Sequence, residues 1–196
     1  MVTSTTGTTT TYVALLAAVN VGKRKVPMAD LRDLLGGLGY RAVRTYLASG
    51  NAVFDVPDDA RDSDGSDGIA ARISAALADR FGFDVPCLVR TGAYLEAVIK
   101  ACPFPADTLE GKQLHAVFYS ADVTADRYAD IDQAAFLPEE FRLGEQVMYL
   151  YAPNGIGRSE LAGALAKPAG RLNGIQATGR NWNSVKALAL MACAAA

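Results

Sequence analysis

The chain is poor in the residues from which most recognisable chemistry is built. Among 196 residues there is one histidine, one tryptophan and three cysteines. Cys87, Cys102 and Cys193 lie far apart and make no CxxC pair, so neither a disulfide framework nor a zinc site is indicated, and a reducing cytoplasmic compartment fits best. Neither GxxxxGK[ST] nor GxGxxG occurs, which removes the usual nucleotide fingerprints. No apolar run reaches the roughly 18 residues of a membrane span. The threonine-rich first eleven residues lack the cationic and apolar regions of a secretory leader. The expectation is a cytoplasmic protein with no metal, no cofactor and no membrane partner.

The rest is ordinary: 51% hydrophobic and 20% charged residues with a net charge of −2 describe a folded globular chain, not a disordered one. The charge is unevenly spread. Between positions 154 and 186 stand Arg158, Lys167, Arg171, Arg180 and Lys186 against the single acid Glu160, while acids gather between positions 55 and 67. Local basic sites on an acidic chain favour compact anions over long nucleic acids, whose footprint shifts the whole balance.

Residues 1–11 are expected to form a disordered tail. Residues 12–19 are apolar at both alternating sets of positions, the pattern of a central strand covered on both faces. A helix follows from Pro27, with Met28, Leu31, Leu34, Leu35 and Leu38 on one stripe and Gly39 as its stop. Two β-prone runs, 42–48 and 51–56, join through Ser49 and Gly50 as a hairpin. Ile69, Ile73, Leu77 and Phe81 mark a second helix, and residues 85–90 a further strand. The order βαββαβ within residues 12–90 predicts an α+β protein whose N-terminal half is ferredoxin-like.

Residues 91–196 read as a second, related α+β half with a C-terminal helix, packed closely on the first. The spacing predicts a helix after Thr91, a strand at 114–119 and a helix from about Thr124. A hairpin at 140–143 and 146–151 follows, then helices near 159–166 and 182–193 flanking a short segment around Ile175.

Several motifs, taken in order, carry a resemblance: Asn20-Val-Gly, Val26-Pro-Met-Ala-Asp-Leu-Arg, Arg44-Thr-Tyr, Ser49-Gly-Asn-Ala-Val-Phe, Phe81-Gly-Phe-Asp-Val-Pro, Gly155-Ile-Gly-Arg-Ser and Ala177-Thr-Gly-Arg-Asn-Trp-Asn. With the strand from Tyr12, these span nearly the whole chain, which resembles the bacterial domain-of-unknown-function family 1697. The resemblance implies a cytosolic α+β protein with ferredoxin-like elements and no established activity. Where that family usually has Arg-Gly-Ile-Asn, this chain has Ala17, Ala18, Val19 and Asn20. The planar fork that an arginine offers to an oxyanion is absent.

Four segments are candidate ligand sites. Asn20, Lys23 and Lys25 occupy the turn into the first helix, where outward amides and the helix dipole favour an anion. The same residues also suit a solvated loop. Ser49 and Asn51 offer a hydroxyl and a carboxamide at a hairpin tip, but such residues also serve tight turns. Arg158 and Ser159 precede one helix, and Arg180, Asn181 and Asn183 surround the lone Trp182 at the start of another. Ser159 and Asn181 suit helix caps equally well.

If Lys23, Arg158 and Arg180 converge, three helix starts share one electropositive pocket for a small phosphorylated or carboxylated ligand. The alternatives are an enzyme acting on a nucleotide or phosphate ester, with His115 or an aspartate as acid/base, and a nucleic-acid accessory protein. An RNA-stacking platform is not expected, because Asn51 and Val53 stand where rings belong in an RNP1-like octet. The Asp62-Ser63-Asp64-Gly65 run resembles a calcium loop but puts Ala71 at the position of the bidentate glutamate, so a solvated linker is expected.

Overall fold

The computed structural model describes residues 9–57, 65–167 and 170–194. The Asp62–Asp64 part of the expected linker therefore lies outside the described residues. The protein is α+β, with two four-stranded antiparallel sheets and helices. The chain divides into two compact units: one holds the described residues up to Leu95 and those from Leu188 onward, the other holds Glu96–Ala187.

The first unit follows the order read from the sequence: β1 (Thr9–Leu16), α1 (Met28–Gly37), β2 (Arg41–Tyr46), β3 (Asn51–Pro57), α2 (Gly65–Phe81) and β4 (Cys87–Thr91). Its strand order is β2-β3-β1-β4. β1 is central, pairing Val13 with Val53 on one side and with Arg90 on the other. Val13, Ala14 and Leu15 have no exposed surface, so the two-sided coverage expected of this strand is present.

Alternation along the strands sends Tyr12, Ala14, Leu16, Phe54, Val56 and Val89 to one face. There they pack with Leu31, Leu34 and Leu35 of α1 and Ile69, Ile73 and Leu77 of α2. Each of these aliphatic side chains contributes about 1.5–3 kcal/mol on burial.

The second unit repeats the strand plan. β5 (Leu114–Tyr119), β6 (Glu140–Gly144), β7 (Val147–Tyr151) and β8 (Ala177–Asn181) form a sheet in the order β6-β7-β5-β8, so β5 takes the place that β1 has in the first. The described residues also include the α-helices α3 (Gly92–Lys100), α4 (Glu160–Leu165) and α5 (Trp182–Cys193).

Three expectations need correction. β1 starts at Thr9, inside the segment expected to be a disordered tail, because Thr9, Thr10 and Thr11 pair with Pro57, Val56 and Asp55 and the Thr11 hydroxyl donates to Asp55 Oδ1 at 2.7 Å. The helix expected from Thr124 is instead two short 3-10 turns, Ala125–Tyr128 and Gln133–Phe136. Local side-chain bonds compete there with an α-helix: the Thr124 hydroxyl donates to Asp126, and Asp132 Oδ1 accepts from the Ala134 amide at 3.1 Å. Finally, residues 177–181 form a strand, β8, where only a short segment around Ile175 was expected before the last helix. Its ladder with β5, from Tyr119↔Ala177 to His115↔Asn181, satisfies that backbone first.

Two residues at the end of β1 carry opposite backbone demands. Gly50 has φ +76°, and a Cβ built there falls 2.5 Å from Val19 Cγ2 and 2.8 Å from Leu16 Cβ. Ala18 has φ 55°, a left-handed conformation that glycine adopts without strain. Gly50→Ala is expected to lower stability by about 3 kcal/mol, from backbone strain plus overpacking. Ala18→Gly is expected to raise it by up to about 1 kcal/mol. Chemical-denaturation midpoints of the two variants should move in opposite directions from the parent.

Candidate functional site

In the first unit, the predicted residues gather at the end of β1. Asn20 adopts φ 57° and acts as a clamp. Its Nδ2 donates to Val26 O at 3.0 Å and to Ala48 O at 2.6 Å, and its Oδ1 accepts from the Val26 amide at 3.0 Å. These bonds tie the 20–26 loop to itself and to the β2–β3 turn. Asn51 is fully buried, and its Nδ2 donates to Tyr46 O and to Ser49 Oγ, both at 2.8 Å. Asn20, Ser49 and Asn51 thus build the loops.

Lys23 and Lys25 project from the scaffold so formed. Both are exposed, and neither makes an ion pair among the described residues. Between them Arg24 lies over the Phe83 ring at 5.5 Å. The loop leads directly into α1, whose N-cap is Pro27 and which has no side-chain cap hydrogen bond. Leu31 N is satisfied by Pro27 O at 3.0 Å, so the unsatisfied amides of this helix start are those ahead of it.

The starts of α3, α4 and α5 are closed by the protein itself. Tyr94 N of α3 donates to Thr91 Oγ1 at 3.1 Å, and Ser184 N of α5 donates to Asn181 Oδ1 at 2.8 Å. At α4, Ser159 Oγ accepts from Ala162 N at 2.9 Å and donates to Glu139 Oε2 at 2.9 Å, and that same carboxylate oxygen accepts from Leu161 N at 2.8 Å. Glu139 therefore occupies the place where an anion at α4 was expected. Sequence spacing did not reveal Glu139, because it lies 20 residues before Ser159 and meets it only through the fold.

Arg158 and Arg180 stand in different surroundings, the first exposed in a 3-10 turn and the second buried in β8. Val117, Tyr119 and Ala177 line a cavity on one face together with Ile156, two residues before Arg158. Arg180 pairs with Ala116 and by strand alternation points to the opposite face. There it is buried, and its Nη1 donates to Thr178 Oγ1 at 2.7 Å and to Gly179 O at 2.8 Å. Arg158 is exposed. Asn183 packs beside Gly111, where a Cβ would lie 2.2 Å from its Cγ. Trp182 is buried and meets the Tyr149 ring at 6.2 Å between centroids.

His115 sits mid-strand between Leu150 and Asn181, and its buried Nδ1 has no hydrogen-bond partner. Among the described residues no carboxylate pairs with it, and no group of three or more His, Cys, Asp or Glu residues suitable for a metal occurs. Burial lowers its pKa below the ordinary value of about 6.5.

A family model described as "Protein of unknown function (DUF1697)" matches residues 9–149. The chain belongs to the DUF1697 family. The matched span includes the Asn20–Lys25 loop and both sheets' central strands, and ends before Arg158, Arg180 and their neighbours. Among solved structures, the conserved bacterial protein SP0830 from Streptococcus pneumoniae is similar at a TM-score of 0.70 and 21% identity, over 94% of this chain and 99% of that one. That likeness establishes a shared fold for this DUF1697 member. No curated relative matches the chain in sequence. None of the described helices is long and apolar enough to cross a membrane.

The lowered His115 pKa sets a direction for pH dependence. A depressed folded value means the unfolded chain binds more protons, so the contribution to stability is complete above about pH 6.5 and declines as pH falls below it. The thermal midpoint of the parent should therefore fall more between pH 7 and pH 5 than that of His115→Leu. Parallel curves for the two proteins would contradict this assignment.

Proposed function

We propose that the protein binds a small anion, a phosphorylated or carboxylated molecule, on the first unit at the loop that enters α1. Lys23 and Lys25 supply charge, and the first amides of α1 supply donors. Support comes from a contrast among helix starts: those of α3, α4 and α5 are capped by Thr91, by Ser159 with Glu139, and by Asn181, whereas α1 has no side-chain cap and follows directly on exposed lysines. A positive helix end beside mobile ammonium groups is a favourable place for a compact oxyanion. Asn20 contributes by fixing the loop, since its carboxamide is engaged with Val26 and Ala48.

The reading shrinks the site foreseen from sequence. Arg180 acts inside the second sheet, and Ser159 and Asn181 act as caps. An enzyme working through His115 has no carboxylate partner in support of it among the described residues. A nucleic-acid accessory role finds no stacking platform, because Asn51 and Val53 are buried.

Isothermal titration with inorganic phosphate, nucleotides and phosphorylated sugars is expected to give a saturable heat. Lys23→Ala and Lys25→Ala should each weaken binding roughly two- to fivefold, the range for exposed charge pairs, while Arg158→Ala leaves it unchanged. A blank screen rejects the reading. Steep salt dependence with an oligonucleotide, and none with the small anions, would replace it with the accessory role.

A further inference from the structure

The second unit contains a cavity unrelated to the cationic loop. It has a volume of about 300 Å³, and its walls include Val117, Met148, Leu150, Ile156 and Leu165. Among the described residues no charged side chain lines it. The polar atoms that stand out are the hydroxyls of Tyr119 and Tyr128, 2.9 Å apart on two buried rings. Either can donate to the other, and the Tyr119 hydroxyl also reaches Met148 Sδ at 3.7 Å.

We propose that this cavity is a binding site for a small neutral molecule, mainly apolar and carrying one hydrogen-bond acceptor such as a ketone or ester carbonyl. Two phenols bring two protons, and the bond between them uses one. Where Tyr128 donates, the Tyr119 hydroxyl is left to a thioether, a weak acceptor; where Tyr119 donates, the Tyr128 hydroxyl is the remaining donor at the cavity wall. A carbonyl oxygen in the cavity is a stronger acceptor for such a hydroxyl than a thioether sulfur. Burial, and then the bond to Tyr128, raises the Tyr119 pKa far above its ordinary value, so this group remains a donor at any working pH.

The charge environment selects against anions. Arg171 lies over the Tyr128 ring at 5.2 Å, but its guanidinium is taken by the Asp130 carboxylate and by the carbonyls of Lys167 and Arg127. A carboxylate entering the cavity would lose its water without meeting an available counter-charge. Size sets the other limit, since 300 Å³ is at the small end of ligand sites and suits a single substituted ring.

Three molecules of nearly equal shape test the idea on the full-length protein: acetophenone, ethylbenzene and benzoate. With methionine methyl groups labelled with carbon-13, the Met148 resonance reports occupancy. Acetophenone is expected to shift it saturably and to bind about fivefold more tightly than ethylbenzene, the worth of one hydrogen bond, with benzoate weakest. Replacing both Tyr119 and Tyr128 by Phe should bring acetophenone to the level of ethylbenzene. Ala162→Phe, which fills the cavity from α4, should abolish the shift by all three.

No saturable shift in the parent protein overturns the proposal, as does binding of ethylbenzene or benzoate as tight as that of acetophenone. Acetophenone binding that survives in Ala162→Phe places the ligand elsewhere and overturns it too. The comparison of the three ligands on the parent protein is decisive even if the double variant does not fold.

Discussion

Everything else in the first unit depends on the burial of β1 on both faces. Val13, Ala14 and Leu15 have no exposed surface, and the strand is hydrogen-bonded on both edges, so neither its faces nor its edges can meet a ligand. What this leaves for recognition is the end of the strand, where the chain must leave the sheet and turn into α1. The same logic holds in the second unit. β5 lies between β7 and β8, and a cavity opens under its Val117 and Tyr119.

The loops at the end of β1 are shaped by satisfaction of backbone groups. Asn20 supplies partners for Val26 and Ala48 that the departing chain would otherwise lack, and Asn51 does so for Tyr46. Polar residues that look like ligand contacts in a list of motifs turn out to be the fasteners of the loop. Glu139 makes the same point at α4, where the helix start has been given an internal anion. A helix start is an open anion site only when the fold has not already filled it.

Much of this was legible along the chain. The β1 run, the stripe of Leu31, Leu34 and Leu35, and the four-residue spacing of Ile69, Ile73 and Leu77 are local periodicities, and each became the element it indicated. The hairpin of β6 and β7 was legible for the same reason. The segment after Thr124 was not, because short-range bonds of Thr124 and Asp132 outweighed a weak helical pattern. β8 was hidden because five residues containing Gly179 and Arg180 have little strand character until they pair with β5.

The sequence by itself determined the fold class, the order of the elements in the first unit, the two-sided burial of β1 and the place of Asn20, Ser49 and Lys23 in loops, since these follow from hydrophobic period and from turn chemistry over a few residues. Only the tertiary structure decided which of those polar groups are spent internally, that Arg180 turns away from the face bearing Ile156, and that Tyr119 and Tyr128 meet over a cavity. The physical reason is that hydrogen-bond partnership and strand facing depend on residues brought together from distant positions. No local pattern contains that information.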